Sequence, residues 1–494
     1  MSTPDSARFP HLRNLPRFPG AATPRSRAEQ RGDAAAAGVL GFVSALALAG
    51  GAWWAGALPA GHRTGSAGPY TAGLVVCLLG LAGLITAWLL IARRPPARGL
   101  LLTGVLWQLP FLFAPPIGSR DVYSYACQGW VFARSLDPYA VSPRAADCPW
   151  LPGVATLWQD ATTPYGAFAL LLSGAAATGG SWPVALVVLR LCAVAGLALA
   201  AFGVHRLART FGLDPRRAVW LALPAPLIAI HATSGAHHDA LLAGLVLAAL
   251  ALCVDRVPGG RPVVAALVAG VALGLAAAIK ITAIAALPFA LILAARAGLR
   301  RTLPVVAGLF GSFALAGLVS GLGLGWVAAL TESTGPKQWT SVPTGVGMAA
   351  AYVLRPLGLA AHEDTVLAAA RLAGLLALAV VTLVCLRTAW QRRADPRAVV
   401  LRAGIVLLAL VLFGPVAYPW YFLTPIPVLA AALTRPRHLR WLAFGATFAA
   451  LLVLPDGLGI PSQTKAVGAF ADLLLVVAGA AIAVRRSRRR PSGR

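Results

Sequence analysis

The chain is short of acid and nearly without lysine. It sets 16 Asp and Glu against 42 Lys and Arg, and only three of the basic residues, Lys280, Lys337 and Lys465, are lysines. Long polar stretches are missing too, since no segment free of apolar runs exceeds about fifty residues. That leaves no room for a soluble nucleotide-sugar domain, and neither a Gly-rich phosphate loop nor a serine-hydrolase elbow occurs. An activated donor would have to come from the membrane itself. Cysteine is sparse, and four of the six (Cys77, Cys192, Cys253, Cys385) sit in apolar runs as packing residues. None has metal-site spacing.

What is present is apolar sequence. Hydrophobic residues make up 58% of the chain, mean hydropathy is +0.75, and runs of about 17 to 25 apolar residues, the length of a membrane-spanning helix, recur along it. The fold class that follows is an all-α polytopic membrane protein. A formal charge of +26 would suggest nucleic acid in a soluble domain. Here the arginines cluster at the ends of apolar runs, as the positive-inside rule and attraction to anionic membrane lipid require, so no nucleic-acid partner is read. Residues 1–33, rich in Pro and Arg, form a disordered basic cytosolic tail rather than a signal peptide. Residues 34–484 form the transmembrane domain and 485–494 a second basic cytosolic tail. Placing the arginine clusters in the cytosol gives about 13–14 transmembrane helices with both termini inside. On this map 303–330 is one crossing, and 218–233 and 237–254 are two crossings joined by a short external turn. The runs 165–178 and 346–359 are short outer-leaflet helices, and 117–166 is a large external loop with short helices of its own.

That loop concentrates what the rest lacks: four carboxylates, three arginines, three tryptophans and four tyrosines. Polar loops between spans carry function. Asp121, beside Arg120 in R-D-V-Y-S-Y, stands at the membrane boundary, where it could take a proton from a hydroxyl while Tyr123 and Tyr125 shelve a sugar or an isoprenoid. An interfacial carboxylate paired with its own arginine fits those residues equally well. Cys127 and Cys148 could close a loop of about twenty residues, worth roughly 3 kcal/mol, or stay as two thiols. His237, His238 and Asp239 top a helix on the outer side with His231 nearby, and metal ligation, capping of the next span and contact with an acceptor are all open. Lys280 must snorkel to the interface or pair with an anion. Trp420 and Tyr421, in AYPWY, belong to an aromatic belt or stack on a sugar. Asp472 sits inside the last span, near its outer end. All three lysines fall on the outer face with most of the carboxylates, which suits an anionic lipid head group and a polar acceptor.

Taken in order, DVYSY and LDPY, then W-x-D-x-T-T-P-Y-G, SGAHHDAL, AAIKITA and PWYFL resemble the motifs of the polyprenol-phosphate-mannose-dependent α-1,6-mannosyltransferases of the GT-C class, the MptA/MptB group. The resemblance runs from about Asp121 to Leu423. It implies a GT-C type multi-pass enzyme of the cell membrane, in lipomannan and cell-envelope biosynthesis, with its site open to the exterior. The reaction it implies takes mannose from β-linked polyprenyl phosphomannose and inverts it onto a mannan or lipoglycan acceptor in α-1,6 linkage. Asp121 takes the general-base position. Lys280 and Arg120 are the candidates to hold the donor phosphate. Tyr123, Tyr125, Tyr165, His237, His238, Asp239, Trp420 and Tyr421 are the candidate substrate-binding residues. No cofactor and no metal site is implied, although a divalent ion stays open. The chain departs from the expected pattern at His238, where Asn is expected, at Ala167 in PYGA, where Pro is expected, and at Tyr418, where His is expected. All three bear on the acceptor side. The alternatives are a transporter or flippase of a polyprenyl-linked glycan, which would need polar residues along spans that are here nearly clean of charge, and a GT-C enzyme using another lipid-linked sugar.

Overall fold

The computed structural model describes residues 27–55, 67–93, 99–254, 262–452, 454–455, 457 and 459–488. Most of the tail read over 1–33, residues 489–494, and Arg94, Arg98, Arg256 and Arg261 lie outside the described residues, and helix α1 is already formed at Arg27.

Throughout the described residues the regular elements are helices. α1 (Arg27–Trp54) and α2 (Ala67–Arg93) form an antiparallel hairpin. α3 (Leu100–Phe113) leads into α4 (Asp121–Ala133), and a one-turn α5 (Thr156–Gln159) precedes α6 (Ala167–Ala177). There follow α7 (Trp182–Thr210), α8 (Pro215–Ala222), the short α9 (Pro226–Ile228), α10 (His238–Val254), α11 (Pro262–Ile279), α12 (Leu287–Ala295), α13 (Thr302–Ser320) and α14 (Trp326–Ser333). α15 (Val342–Leu354), α16 (Glu363–Gln391), α17 (Pro396–Phe413), α18 (Pro425–Ala432), α19 (Pro436–Leu451), α20 (Ile460–Gln463) and α21 (Lys465–Arg488) complete the chain. Among the described residues eight helices are long and apolar enough to cross a membrane, nine if the bent pair Pro226–Ser234 and His238–Val254 forms one span, and four shorter apolar helices accompany them. The chain is a multi-pass membrane protein, and the short helices are what carries the sequence-based number of crossings higher.

Two differences from the arginine map have local causes. The expected crossing 303–330 stops at Ser320, because Gly321 takes the left-handed conformation (φ 68°) that ends helices, and α14 starts afresh at Trp326. The expected crossing 218–233 becomes α8, a break at Pro224 and Pro226, and a π-helical turn, Ala229–Ser234, with α10 leaving at 113°. Neither proline can donate a backbone N–H, so one straight helix cannot run through. The turn between the two, placed on the outer side by the sequence reading, is folded into the protein, with His237 0% and His238 3% exposed.

A buried arginine holds this break together. Arg190 of α7 donates to the backbone oxygens of Leu112 (2.7 Å), Ala114 (2.6 Å) and Ser234 (3.0 Å). It thereby satisfies carbonyls left over at the ends of α3 and of the π-helical turn. The Ser234 hydroxyl donates to Pro115 O at 2.9 Å and accepts from the Ile117 N–H at 3.0 Å. α2 is tied to α8 by Trp88 and Trp220, whose indoles each donate to the other's carbonyl at 3.0 and 2.8 Å while the rings stack at 4.5 Å.

α7, α10, α11 and α13 pack side by side, and α18 closes the second part of the chain onto α7 and α8. α4 lies on α6 at Gly129, where a Cβ would stand 2.0 Å from Ser173 O, so only glycine permits this approach. Cys127 of α4 is disulfide-bonded to Cys148, their Cα atoms 5.6 Å apart, which fastens the following loop to the helix.

Candidate active site

Three segments of the chain line one open cleft. α4 contributes Asp121, Ser124, Tyr125 and Gln128, which share one face of the helix. The W-x-D-x-T-T-P-Y stretch contributes Trp158, Ala161, Thr162, Pro164 and Tyr165, and the turn after α17 contributes Tyr418 and Tyr421.

Asp121 opens α4, where a carboxylate is favoured by the helix dipole, and its backbone N–H donates to Ser119 Oγ at 3.1 Å. Its side chain is 15% exposed, with Oδ2 3.8 Å from His237 Nδ1, beyond hydrogen-bond length. Burial pushes the carboxyl up to about 7, with the Asp239 carboxylate adding to the rise and Ser119 and Lys280 opposing it. A carboxylate that titrates near neutrality and faces a cleft is suited to accept a proton from a hydroxyl.

Beneath the cleft, aromatic and imidazole rings lock one another in place. The Tyr125 hydroxyl is within hydrogen-bond distance of His237 Nδ1 (3.0 Å) and of the Tyr165 hydroxyl (3.3 Å). His238 lies on the Tyr125 ring at 4.1 Å and reaches Ser173 Oγ at 3.3 Å. On the other side His237 stacks on Trp420 at 4.2 Å, and Trp420 on Tyr418 at 4.5 Å. Lys280 Nζ donates to Asp239 Oδ1 at 3.1 Å and sits 3.5 Å over the Tyr421 ring. Burial holds the Tyr125 and Tyr165 hydroxyls well above the ordinary tyrosine range, which keeps them neutral.

Of the residues singled out from sequence, Asp121, Tyr125, Tyr165 and Tyr421 line the cleft. Lys280 reaches its edge through the Tyr421 ring, and His237, His238, Asp239 and Trp420 form the layer beneath. Tyr123 does not join them, because it leaves α4 in another direction and stacks on Trp182 at 4.1 Å. Arg120 lies beside Gly457, outside the lining. Asp472 is remote, packed against Gly345 of α15, and its Oδ2 has no hydrogen-bond partner. Among the described residues no three His, Cys, Asp or Glu side chains are grouped as metal ligands. Sequence reading did not single out Ser124, Gln128, Trp158 or Arg190, and it noted Tyr418, which lines the cleft, only as a departure from the family pattern. Ser124 and Gln128 follow Asp121 at helical spacing, and Arg190 is a charge inside an apolar span, so each carried a readable signal. A second cleft opens between α15, α16 and α21, lined by Lys337, Arg355 and Lys465 among others. Asp364 and Glu363 pair with Lys337 and Arg355 there.

An all-helical multi-pass membrane protein whose aromatic-lined cleft holds a carboxyl raised toward neutrality has the architecture and site of a membrane-embedded enzyme. The comparisons give the family. The model described as Alpha-(1->6)-mannopyranosyltransferase, N-terminal domain, matches residues 38–296, and that of the MptB C-terminal domain matches residues 343–484. The chain belongs to this mannosyltransferase family and is an enzyme, which decides against the transporter alternative. Alpha-(1->6)-mannopyranosyltransferase A of Mycobacterium tuberculosis is 34% identical over 400 residues, 76% of this chain and 75% of that protein. Alpha-(1->6)-mannopyranosyltransferase B of Corynebacterium glutamicum is 28% identical over 472 residues, 86% of this chain and 78% of that protein. No solved structure matches the chain.

Proposed function

We propose that this enzyme transfers mannose from polyprenyl phosphomannose to a mannan or lipoglycan acceptor, with inversion, in α-1,6 linkage, on the outer face of the membrane. The observation that carries the reading is Asp121, a cleft carboxylate raised to about 7 within the field of Lys280. The acceptor hydroxyl oxygen attacks the anomeric carbon as its proton passes to Asp121. The bond from that carbon to the phosphate oxygen breaks on the opposite face, and polyprenyl phosphate leaves as an anion. Attack opposite a β-linked leaving group gives the α-mannoside. Lys280 has three N–H donors, one of them engaged by Asp239, so it can hold a phosphate oxygen without leaving its partner. The rings of Tyr165, Tyr418 and Tyr421 shelter the reacting centre from water.

The test is transfer from radiolabelled polyprenyl phosphomannose to a short α-1,6-linked mannoside in membranes, comparing wild type with Asp121→Asn. Wild type should form product and free polyprenyl phosphate, and the variant should lose about 10²-fold or more, as expected for removal of a general base. Full activity in Asp121→Asn would refute the base assignment. Product from a different lipid-linked sugar and none from mannose would refute the donor.

A further inference from the structure

The cleft extends beyond the catalytic carboxylate, and that extension has a chemistry of its own. From Asp121 to Gln128 the face of α4 runs about 10 Å at helical rise, the reach of two linked pyranose rings. Along the whole lining Asp121 is the one charged side chain, and no Lys or Arg takes part. The nearby cation, Lys280, belongs to the Asp239 and Tyr421 side of Asp121. A ligand filling the far end therefore meets neutral polar and aromatic groups only. Gln128 is 7% exposed, lines the cleft, and has no side-chain hydrogen bond to any described residue. One turn nearer Asp121, the buried hydroxyl of Ser124 has no partner either. Unmet polar groups facing a cleft favour a ligand that bonds to them. Trp158 lines the same cleft. The other tryptophans of the same loop pack on rings, Trp130 on Trp150 at 5.6 Å and Trp150 on Trp182 at 6.2 Å, whereas Trp158 makes no ring pair among the described residues and faces the cleft.

We propose that Gln128 and Trp158 form a second acceptor subsite, which takes the sugar next to the one whose hydroxyl is glycosylated. The apolar face of a pyranose lies on the indole while its ring hydroxyls bond to the amide. The enzyme therefore favours acceptors at least a disaccharide long. This rests on the mannosyl-transfer reading above, which supplies the direction of the acceptor.

The experiment uses the purified full-length enzyme in nanodiscs with polyprenyl phosphomannose, and compares methyl α-mannoside with α-1,6-mannobioside as acceptors for wild type, Gln128→Ala, Trp158→Ala and Trp158→Phe. Wild type should use the disaccharide more efficiently. In Gln128→Ala and Trp158→Ala the disaccharide KM should rise about tenfold, the scale of one lost neutral hydrogen bond or stacking contact, with a smaller effect on kcat, so the disaccharide-to-monosaccharide ratio of kcat/KM collapses. Trp158→Phe should restore most of that ratio. Equal losses on both acceptors, or an unchanged ratio, would overturn the subsite. If wild type transfers mannose to neither acceptor, the function reading fails instead. The subsite is then decided by mannobioside binding without donor, read by saturation-transfer NMR: signal lost in Trp158→Ala supports it, and none in wild type overturns it.

Discussion

At the scale of single residues, the site turns on two carboxylates in different circumstances. Asp121 faces the cleft and is raised by burial, whereas Asp239 is 4% exposed and paired with Lys280. A general base works only when ionised, so below about pH 7 Asp121 is protonated and idle, and above it the base is present. The kcat/KM for acceptor should therefore rise with pH through about 7 and then level off, and the residual rate of Asp121→Asn should lack that inflection. A profile with its rise near pH 4 would place the base in water, contrary to the cleft geometry. The Lys280 and Asp239 pair makes a different prediction. Lys280→Met leaves a buried carboxylate uncompensated, which costs about 3–5 kcal/mol. Thermal unfolding of the detergent-solubilised variant should show that loss, and adding Asp239→Asn should recover much of the stability while the donor KM stays raised. If both variants keep the wild-type donor KM, Lys280 serves the fold and not the phosphate.

At the scale of elements, the cleft depends on a latch that joins α15 to the turn after α17. Thr340, Ser341 and Thr344 donate their hydroxyls to the carbonyls of Ala417, Gly414 and Pro415, and Arg371 in turn donates to Thr344 Oγ1 at 3.0 Å. Those carbonyls directly precede Tyr418, Trp420 and Tyr421, so the latch sets where the aromatic wall stands. Removing hydroxyls from buried bonds costs about 1 kcal/mol each. Ser341→Ala combined with Thr344→Val should thus lower stability by about 2 kcal/mol and reduce kcat/KM as the wall loosens. Thr344→Ser, which keeps the bond, should stay close to wild type. Unaltered kinetics in the double variant, despite a lower unfolding temperature, would mean the wall is held elsewhere. This element scale is also where sequence stopped being enough. Asp121, Tyr125, Tyr165 and Tyr421 announced themselves by sitting in polar or aromatic motifs, and the cleft brings them together. The burial of His237 and His238 could not be read, because it follows from a bend fixed by Arg190 reaching carbonyls 44 to 78 residues away. Tyr123 misled for a related reason: it shares a motif with Tyr125 but, two positions earlier on the helix, stacks on Trp182. Motifs report composition along the chain, and which side a residue faces is settled by what packs against it.

At the scale of the whole molecule, the two family matches, 38–296 and 343–484, divide the chain into parts that share one site. The general-base candidate and most of the cleft come from the first part, while Tyr418, Trp420 and Tyr421 come from the second. The segment between them contains α13, the Gly321 turn and α14, which line no part of the cleft. Leu324 in that turn is 65% exposed. What joins the parts is packing: α17 and α18 against α12, α8 and α7, with Trp420 stacked between Tyr418 and His237. A covalent link adds little where such an interface is already closed. A protease site inserted between Gly321 and Leu322, cleaved after purification, should leave two fragments that migrate together in size-exclusion chromatography and keep most of the transferase activity. Fragments that separate in mild detergent, or activity that vanishes while they remain together, would show instead that continuity of the chain through α13 and α14 is what holds Tyr418 and Tyr421 over Asp121.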